Sequence, residues 1–190
     1  MDRGVWRNLI GICWIVFVVY WFVAARFVRP TAKRDSSFAR SLQIVLLTPA
    51  VILLFSPSAR IGFLRARFIP HTTFLAALGF VLTACGIGLA IWARNHIGQY
   101  WSSNITLKTE HKLIRTGPYG MMRHPIYSGL FLAFIGTALA NGEWRAAIAV
   151  VLIFLSHSWK ALREEALLRS AFGAEYDEYR QHTGFLFPHF

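Results

Sequence analysis

The stretch His111 to Gly129, HKLIRTGPYGMMRHPIYSG, gathers polar and conformationally special residues into an otherwise apolar chain. Gly117-Pro118 ends any helix arriving from upstream. Pro125 suits the first turn of a new one. A helix beginning there presents free backbone N–H groups, which favour an anionic ligand group, and Arg123 and His124 stand beside them. Further along, Lys160 to Phe172 has a helical pattern, with Lys160 and Glu164 four residues apart on one face. Together these segments could offer a ligand both a carboxylate and cations. Each also has a plainer reading. Arg123 would snorkel at a membrane boundary while Tyr119 and Tyr127 join an aromatic belt. Lys160 and Glu164 would form an intrahelical ion pair.

The elements that must position these residues are set by composition. Of 190 residues, 55% are hydrophobic and 15% charged, with mean hydropathy +0.44. A soluble domain would carry about 25% charged residues, so the bilayer is the main solvent. Five apolar segments can be marked: Asn8 to Ala25, Ser41 to Ala59, about Thr72 to Ala93, about Pro125 to Ala140, and about Trp144 to Ala161. A spanning helix needs roughly 20 apolar residues. The first three segments meet that comfortably. The charge-free core of the fifth, Ala146 to Trp159, is only 14 residues long. Arg145 and Lys160 therefore have to snorkel, or that helix is only partly embedded. Pro49 is expected to kink the second segment. Asn141-Gly142 predicts a tight turn and an antiparallel hairpin between the last two. After Lys160 the pattern predicts an amphipathic helix lying on the membrane, capped at Gly173. Cys13 and Cys85 read as small buried hydrophobes, with no disulfide implied. The N-terminal run is too long for a signal-peptide core and reads as a retained first helix.

The net charge of +11 is distributed between apolar runs rather than in one patch, which argues against nucleic-acid binding. With the N-terminus outside, 14 of the 20 Lys and Arg residues fall on the cytoplasmic side. This predicts an all-α integral membrane protein of about five transmembrane helices, N-out and C-in, with a cytoplasmic C-terminal amphipathic helix. A single membrane domain, 1–190, is expected, with two N-terminal helices in 1–60 and a core in 72–190.

The block Gly117-Pro-Tyr-Gly-Met-Met-Arg-His-Pro-Ile-Tyr-Ser-Gly129 resembles the G-x-Y-x-x-x-R-H-P-x-Y-x-G signature of the isoprenylcysteine carboxyl methyltransferase family. Relatives of that family occur among phospholipid N-methyltransferases. The order of the remaining motifs is similar too. Gly98-Gln-Tyr-Trp-Ser102 lies upstream. Glu164-Glu165, Phe172-Gly-Ala-Glu-Tyr-Asp-Glu-Tyr179 and Leu186-Phe-Pro188 follow. The resemblance covers roughly residues 94–188, about half of the chain.

The resemblance implies S-adenosylmethionine as cofactor, held without a Rossmann domain, and the dispersed histidines predict no metal. It places cofactor contacts on His111, Lys112, Leu113, Ile114, Tyr119, His124, Pro125, Ile126, Tyr127 and Glu164, with Asn104 from the preceding loop. Glu164 would accept from ribose hydroxyls or attract the donor's cations. The backbone of Leu113 and Ile114 would read the adenine edge, and His124 and Arg123 would neutralise the donor carboxylate. The family usually carries an arginine four residues before the first glutamate, where it orients the substrate carboxylate. Here that position is Lys160, with Arg163 one turn along, and lysine lacks the bidentate fork. The expected reaction is displacement at the donor methyl by a lipophilic, membrane-dissolved acceptor, foremost an isoprenylcysteine-like carboxylate. A phospholipid amine or a small thiol are alternatives, and these would need a base, for which Glu165 or His111 are candidates. The bilayer is the expected partner, with no nucleic acid and no obligate protein partner. The expected place is the inner membrane of a prokaryote, with the site facing the cytoplasm.

Two other classes fit less of the chain. Membrane sterol reductases using NADPH share a related R-H-P-x-Y block but are longer, with more helices. A non-catalytic membrane scaffold would not require Glu164-Glu165 beside the R-H-P block. Gly86-Ile-Gly88 lies inside an apolar run and reads as helix packing, not a nucleotide loop. No H-E-x-x-H or His/Cys pair at ligand spacing occurs among the seven histidines. His157, inside the fifth segment, is expected to bond a neighbouring helix or to serve the site.

Overall fold

The computed structural model describes residues 3–27, 31–34, 37–98, 106–108 and 113–189. Each apolar segment forms a helix: α1 (Arg3–Ala24), α2 (Ser37–Phe55), α3 (Thr73–Ile97), α4 (Pro125–Asn141) and α5 (Trp144–Phe172), followed by a short α6 (Ala174–Gln181). By length and composition α1, α3 and α5 can cross a membrane, whereas the apolar parts of α2 and α4 are shorter. The departure from an all-helical fold is a two-stranded antiparallel ribbon. In it, β1 (Thr31–Arg34) pairs with β2 (Thr106–Lys108), with a bulge between Thr31 and Lys33.

The long helices alternate in direction. The ribbon joins the α1–α2 and α3–α4 connections at one end of the molecule. At the other end the α2–α3 connection meets the α4–α5 turn, where the Phe68 N–H donates to the Gly142 carbonyl at 3.1 Å and the Trp144 N–H to Ala66 at 3.0 Å.

Closest approach is between α3 and α4, and small residues make it possible. A side chain at Gly79 would sit 2.6 Å from the Gly136 carbonyl oxygen, and one at Gly129 would sit 2.6 Å from that of Gly86. These two pairs, seven residues apart on each helix, bring backbones into direct contact, as small residues do between membrane helices. Between them the Thr83 hydroxyl donates to the Gly79 carbonyl at 2.8 Å. Gly86 therefore packs, as expected from its apolar setting, while Gly88 faces open space. Gly86→Leu must push the helices apart. We expect a loss of about 3 kcal/mol or more, read as a lower thermal midpoint in detergent, with Gly88→Leu as the tolerated control.

A second core joins α2 to α4 and α5 through Ala50, Leu54, Phe134, Ala138, Ala146, Ala149 and Ile153. The first helix is tied to the others by Trp14, whose indole N–H donates to the Thr137 hydroxyl at 3.0 Å, and by Arg94, which donates to the Ala24 carbonyl at 2.9 Å.

Four expectations are corrected. Arg145 does not snorkel: it is buried, ion-paired with Glu143 at 2.6 Å, and also donates to the carbonyls of Leu53, Leu54 and Ser56. These carbonyls lie at and just beyond the open end of α2, so the guanidinium caps a helix rather than seeking water. Lys160 is also buried, beside the ring of Tyr127. Residues 160–172 continue α5 without a break, because nothing between Lys160 and Phe172 interrupts a helix; α6 is the separate short helix. Cys85 is exposed on α3 and Cys13 half-buried.

Candidate active site

The site lies at the ribbon end, where the start of α4 meets the later half of α5. The segment leading into α4 is a 3-10 turn, Gly117–Gly120, entered through Gly117 with φ +59°. A Cβ on Gly117 would also strike the His96 ring at 2.6 Å, so both backbone and space call for glycine. The turn buries Pro118 and Tyr119 and delivers Arg123 and His124 to the N-terminus of α4, with Pro125 in its first turn.

Four side chains form the centre. The Tyr127 hydroxyl donates to Glu164 at 2.5 Å. The His124 ring stacks on that of Tyr127, with centroids 5.6 Å apart. Its Nδ1 is 3.6 Å from a Glu164 oxygen and its Nε2 3.5 Å from Glu165. The Lys160 ammonium lies 5.4 Å from the Tyr127 ring centroid, a cation–π distance. The Glu164 side chain keeps 22% of its surface exposed, against 5% for His124, so its oxygens are the accessible acceptors of the cluster.

Glu165 points the other way. It accepts from Arg123 Nε at 2.5 Å and lies 3.6 Å from Arg180. Arg123 also donates to the carbonyls of Thr183 and Arg180. The chain beyond α6 is thereby threaded along the R-H-P block. The Arg123 N–H donates to Gly184 at 2.8 Å, the His124 N–H to Phe185 at 3.3 Å, and the Ser128 hydroxyl to Leu186 at 2.5 Å. Tyr179 reaches from α6 to donate its hydroxyl to the Tyr119 carbonyl at 2.7 Å. Burial pushes the Tyr179 hydroxyl up to about 12, despite the nearby Arg123, so it remains a donor across the physiological range. Burial, reinforced by Glu164 and Tyr179, raises the Tyr119 hydroxyl likewise.

Of the residues expected to contact a cofactor, Tyr119, His124, Pro125, Ile126, Tyr127 and Glu164 come together here. Ile114 packs against the core formed by Ala93, Tyr119 and Ile126, and Leu113 is half-buried next to it in the chain. Asn104, His111 and Lys112 lie outside the described residues, as do Gln99 to Ser102. Tyr119 is buried and Tyr127 bonds inward, so neither forms an exposed aromatic belt. Arg123 donates to Glu165 and the tail rather than to the face that Glu164 presents. Arg163 lies over the Trp159 ring at 5.0 Å, a contact within α5. His157 bonds its own helix at Ile153, 2.9 Å away, and meets the edge of Tyr127.

Three contributors were not singled out from sequence. His96 on α3 bonds the Thr116 hydroxyl at 2.8 Å and stacks on Tyr119. Arg180 and Thr183 complete the surroundings of Arg123 and Glu165. A signal existed for one of them: Tyr176, Tyr179 and Arg180 sit on a helix whose tyrosines share a buried face. His96 gave none, because a histidine at the end of an apolar helix reads as interfacial. Among the described residues no three His, Cys, Asp or Glu side chains are grouped to hold a metal ion.

Comparison with known proteins places this geometry. The family model described as phospholipid methyltransferase matches residues 74–175, more than half of the chain, from the second residue of α3 through α5. The chain belongs to the phospholipid methyltransferase family. A probable protein-S-isoprenylcysteine O-methyltransferase of Oryza sativa subsp. indica is 34% identical over 119 residues, covering 60% of this chain and 62% of that protein. The chain thus spans less than two thirds of the length of that relative. The nickel-cobalt-cadmium resistance protein NccN of Alcaligenes xylosoxydans xylosoxydans is 26% identical over 161 residues, covering 78% of this chain and 73% of that one. Among solved structures, a eukaryotic intramembrane Ras methyltransferase, isoprenylcysteine carboxyl methyltransferase, superposes with TM-score 0.59 at 23% identity. It covers 81% of this chain and 53% of its own. That likeness establishes a shared helical membrane fold, and this family member is an α-helical integral membrane protein.

Proposed function

We propose that this member of the family is an S-adenosylmethionine-dependent methyltransferase whose acceptor is a lipophilic molecule dissolved in the membrane, foremost an isoprenylcysteine-like carboxylate. The observation that carries this reading is the Tyr127–Glu164–His124 cluster beside Lys160. It is assembled from the motif residues inside the matched stretch, and relatives of that stretch are named O-methyltransferases.

The residues fit such a donor. Glu164 has one donor from Tyr127 and spare acceptor capacity on a part-exposed carboxylate. The His124 Nε2 is buried, with the Glu165 carboxylate at 3.5 Å and no better-aligned hydrogen-bond partner. A ligand carrying hydroxyls, an ammonium and a carboxylate can satisfy both. When bound, the cofactor supplies an electrophilic methyl group on a sulfonium. Glu164 then holds the cationic or hydroxyl end, with Tyr127 fixing its rotamer. His124, Pro125, Ile126 and Tyr127 shape the wall, and Ile114 and Tyr119 the floor. Lys160 offers a positive charge to an anionic acceptor as a point charge rather than a fork. A carboxylate acceptor is already ionised at neutral pH and needs no base. That matches a cluster in which Glu165 is committed to Arg123 and Arg180. Arg123 and Glu165 are positioning residues in this reading. Oppositely charged reactants cancel in the transition state, so the water-poor setting at the helix ends favours transfer.

In the same reading the ribbon end faces the cytoplasm, all five long helices lie in the inner membrane of a prokaryote, and 1–190 acts as one unit in which α1 and α2 brace the core of 72–190. The Lys and Arg distribution supports the orientation. The deciding experiment is calorimetric titration of S-adenosylhomocysteine into the detergent-purified protein, with NADPH as control ligand. Binding of S-adenosylhomocysteine alone is expected. Binding of NADPH alone would transfer the chain to reductase chemistry, and binding of neither by folded protein would leave a scaffold.

A further inference from the structure

At the end opposite the Glu164 site, the α2–α3 connection, residues 56–72, carries Arg60, Arg65, Arg67 and His71 and no acidic residue. The neighbouring acid, Glu143, is buried and already shared between Arg145 and Arg60, each at 2.6 Å. Arg65 is exposed and makes no hydrogen bond or ion pair among the described residues. Arg67 is exposed as well, and among the described residues its side chain donates to the nearby Ile69 carbonyl alone. Between and beside these cations, Ile61, Phe63 and Phe74 are 64%, 67% and 72% exposed. Two 3-10 turns, Pro57–Ala59 and Gly62–Arg65, hold the segment in a fixed shape.

Large apolar side chains standing out of an ordered loop and the first turn of the helix that follows it belong in the interfacial layer, not in water. At that depth guanidinium groups meet lipid phosphates, which their planar fork matches in geometry. The positive charge left over after Glu143 is used favours lipids with net negative charge over zwitterionic ones. We infer that the α2–α3 connection is a docking surface for anionic phospholipid headgroups, with the phenylalanines inserted between lipids and Arg65 and Arg67 on the phosphates. This surface stands whether or not the proposed methyl transfer is correct.

Each arginine near an anionic surface contributes roughly fivefold to association. The test is native mass spectrometry of the full chain titrated with phosphatidylglycerol and, separately, phosphatidylcholine. The native protein is expected to prefer phosphatidylglycerol by about tenfold or more. Arg65→Glu should cut that preference at least about fivefold and leave phosphatidylcholine binding unchanged, while Arg65→Lys keeps most of it. Because Arg65 has no internal partner, both variants should elute and melt as the native protein does. Equal binding of the two lipids by the native protein would overturn the proposal, and so would an undiminished preference in Arg65→Glu. Displacement of phosphatidylglycerol by inorganic phosphate would overturn it too, since that would mark an anion site rather than a lipid surface.

Discussion

Replacing Glu164 by alanine is expected to weaken S-adenosylhomocysteine binding by about 100-fold or more, while the protein remains folded. A hydrogen bond to a charged group contributes about 1.5–3 kcal/mol, and Glu164 is the accessible acceptor in the cluster. The substitution also strands the Tyr127 hydroxyl, whose partner it removes. Folding should survive, since the Glu164 side chain is part-exposed and, among the described residues, meets α4 only at Tyr127 and His124. Glu164→Gln separates two contributions. It keeps an acceptor for Tyr127 but loses the negative charge, so binding should recover only in part. Titration calorimetry reads the affinity and gel filtration in detergent checks the fold. An unchanged affinity in Glu164→Ala would remove this residue from the site, and with it the carboxylate around which the proposed function is built.

Glu143→Gln should destabilise the protein by about 3–5 kcal/mol, because it breaks a buried ion pair and leaves Arg145 with an uncompensated charge. Both side chains are nearly inaccessible, at 5% and 7% exposure. The loss should appear as a lower thermal midpoint, with no specific effect on ligand affinity at the far end of the molecule. A pH dependence follows. Burial alone would raise the Glu143 carboxyl, but Arg145 and Arg60 outweigh it and bring it below its ordinary value of 4.5. A carboxyl depressed in the folded state contributes stability that is fully present above its unfolded value. That contribution fades as pH falls toward the folded value. The gap in midpoint between the native protein and Glu143→Gln should therefore be widest near neutrality and narrow below about pH 4.5. A gap independent of pH would mean that the pair is not an ion pair in solution.

The positions of the helices were legible in the sequence because hydropathy and helix punctuation are local properties. The five apolar runs reappear as α1 to α5, and Asn141-Gly142 makes the α4–α5 turn. Gly86 inside an apolar run marked close packing, since only a missing side chain lets two helix backbones touch. The membership of the proposed site was suggested by the resemblance of Gly117 to Gly129 and of Glu164-Glu165 to known motifs. What each member touches was not. Two adjacent glutamates look alike in a sequence, yet a rotation of about 100° per residue along α5 sends Glu164 to Tyr127 and Glu165 to Arg123. The cations at the ends of the fifth segment posed the same problem. A charge next to an apolar run can snorkel or find a buried partner, and only packing decides. Arg145 is buried because Glu143 and the open end of α2 are there to receive it, and Lys160 because Tyr127 is. The course of the C-terminal tail beneath α4 rests on backbone hydrogen bonds, which carry no side-chain signature. The sequence by itself therefore determined the solvent, the helices and the list of candidate residues. The tertiary structure alone decided which charges stay accessible and which are buried in ion pairs, because that depends on partners distant in the chain.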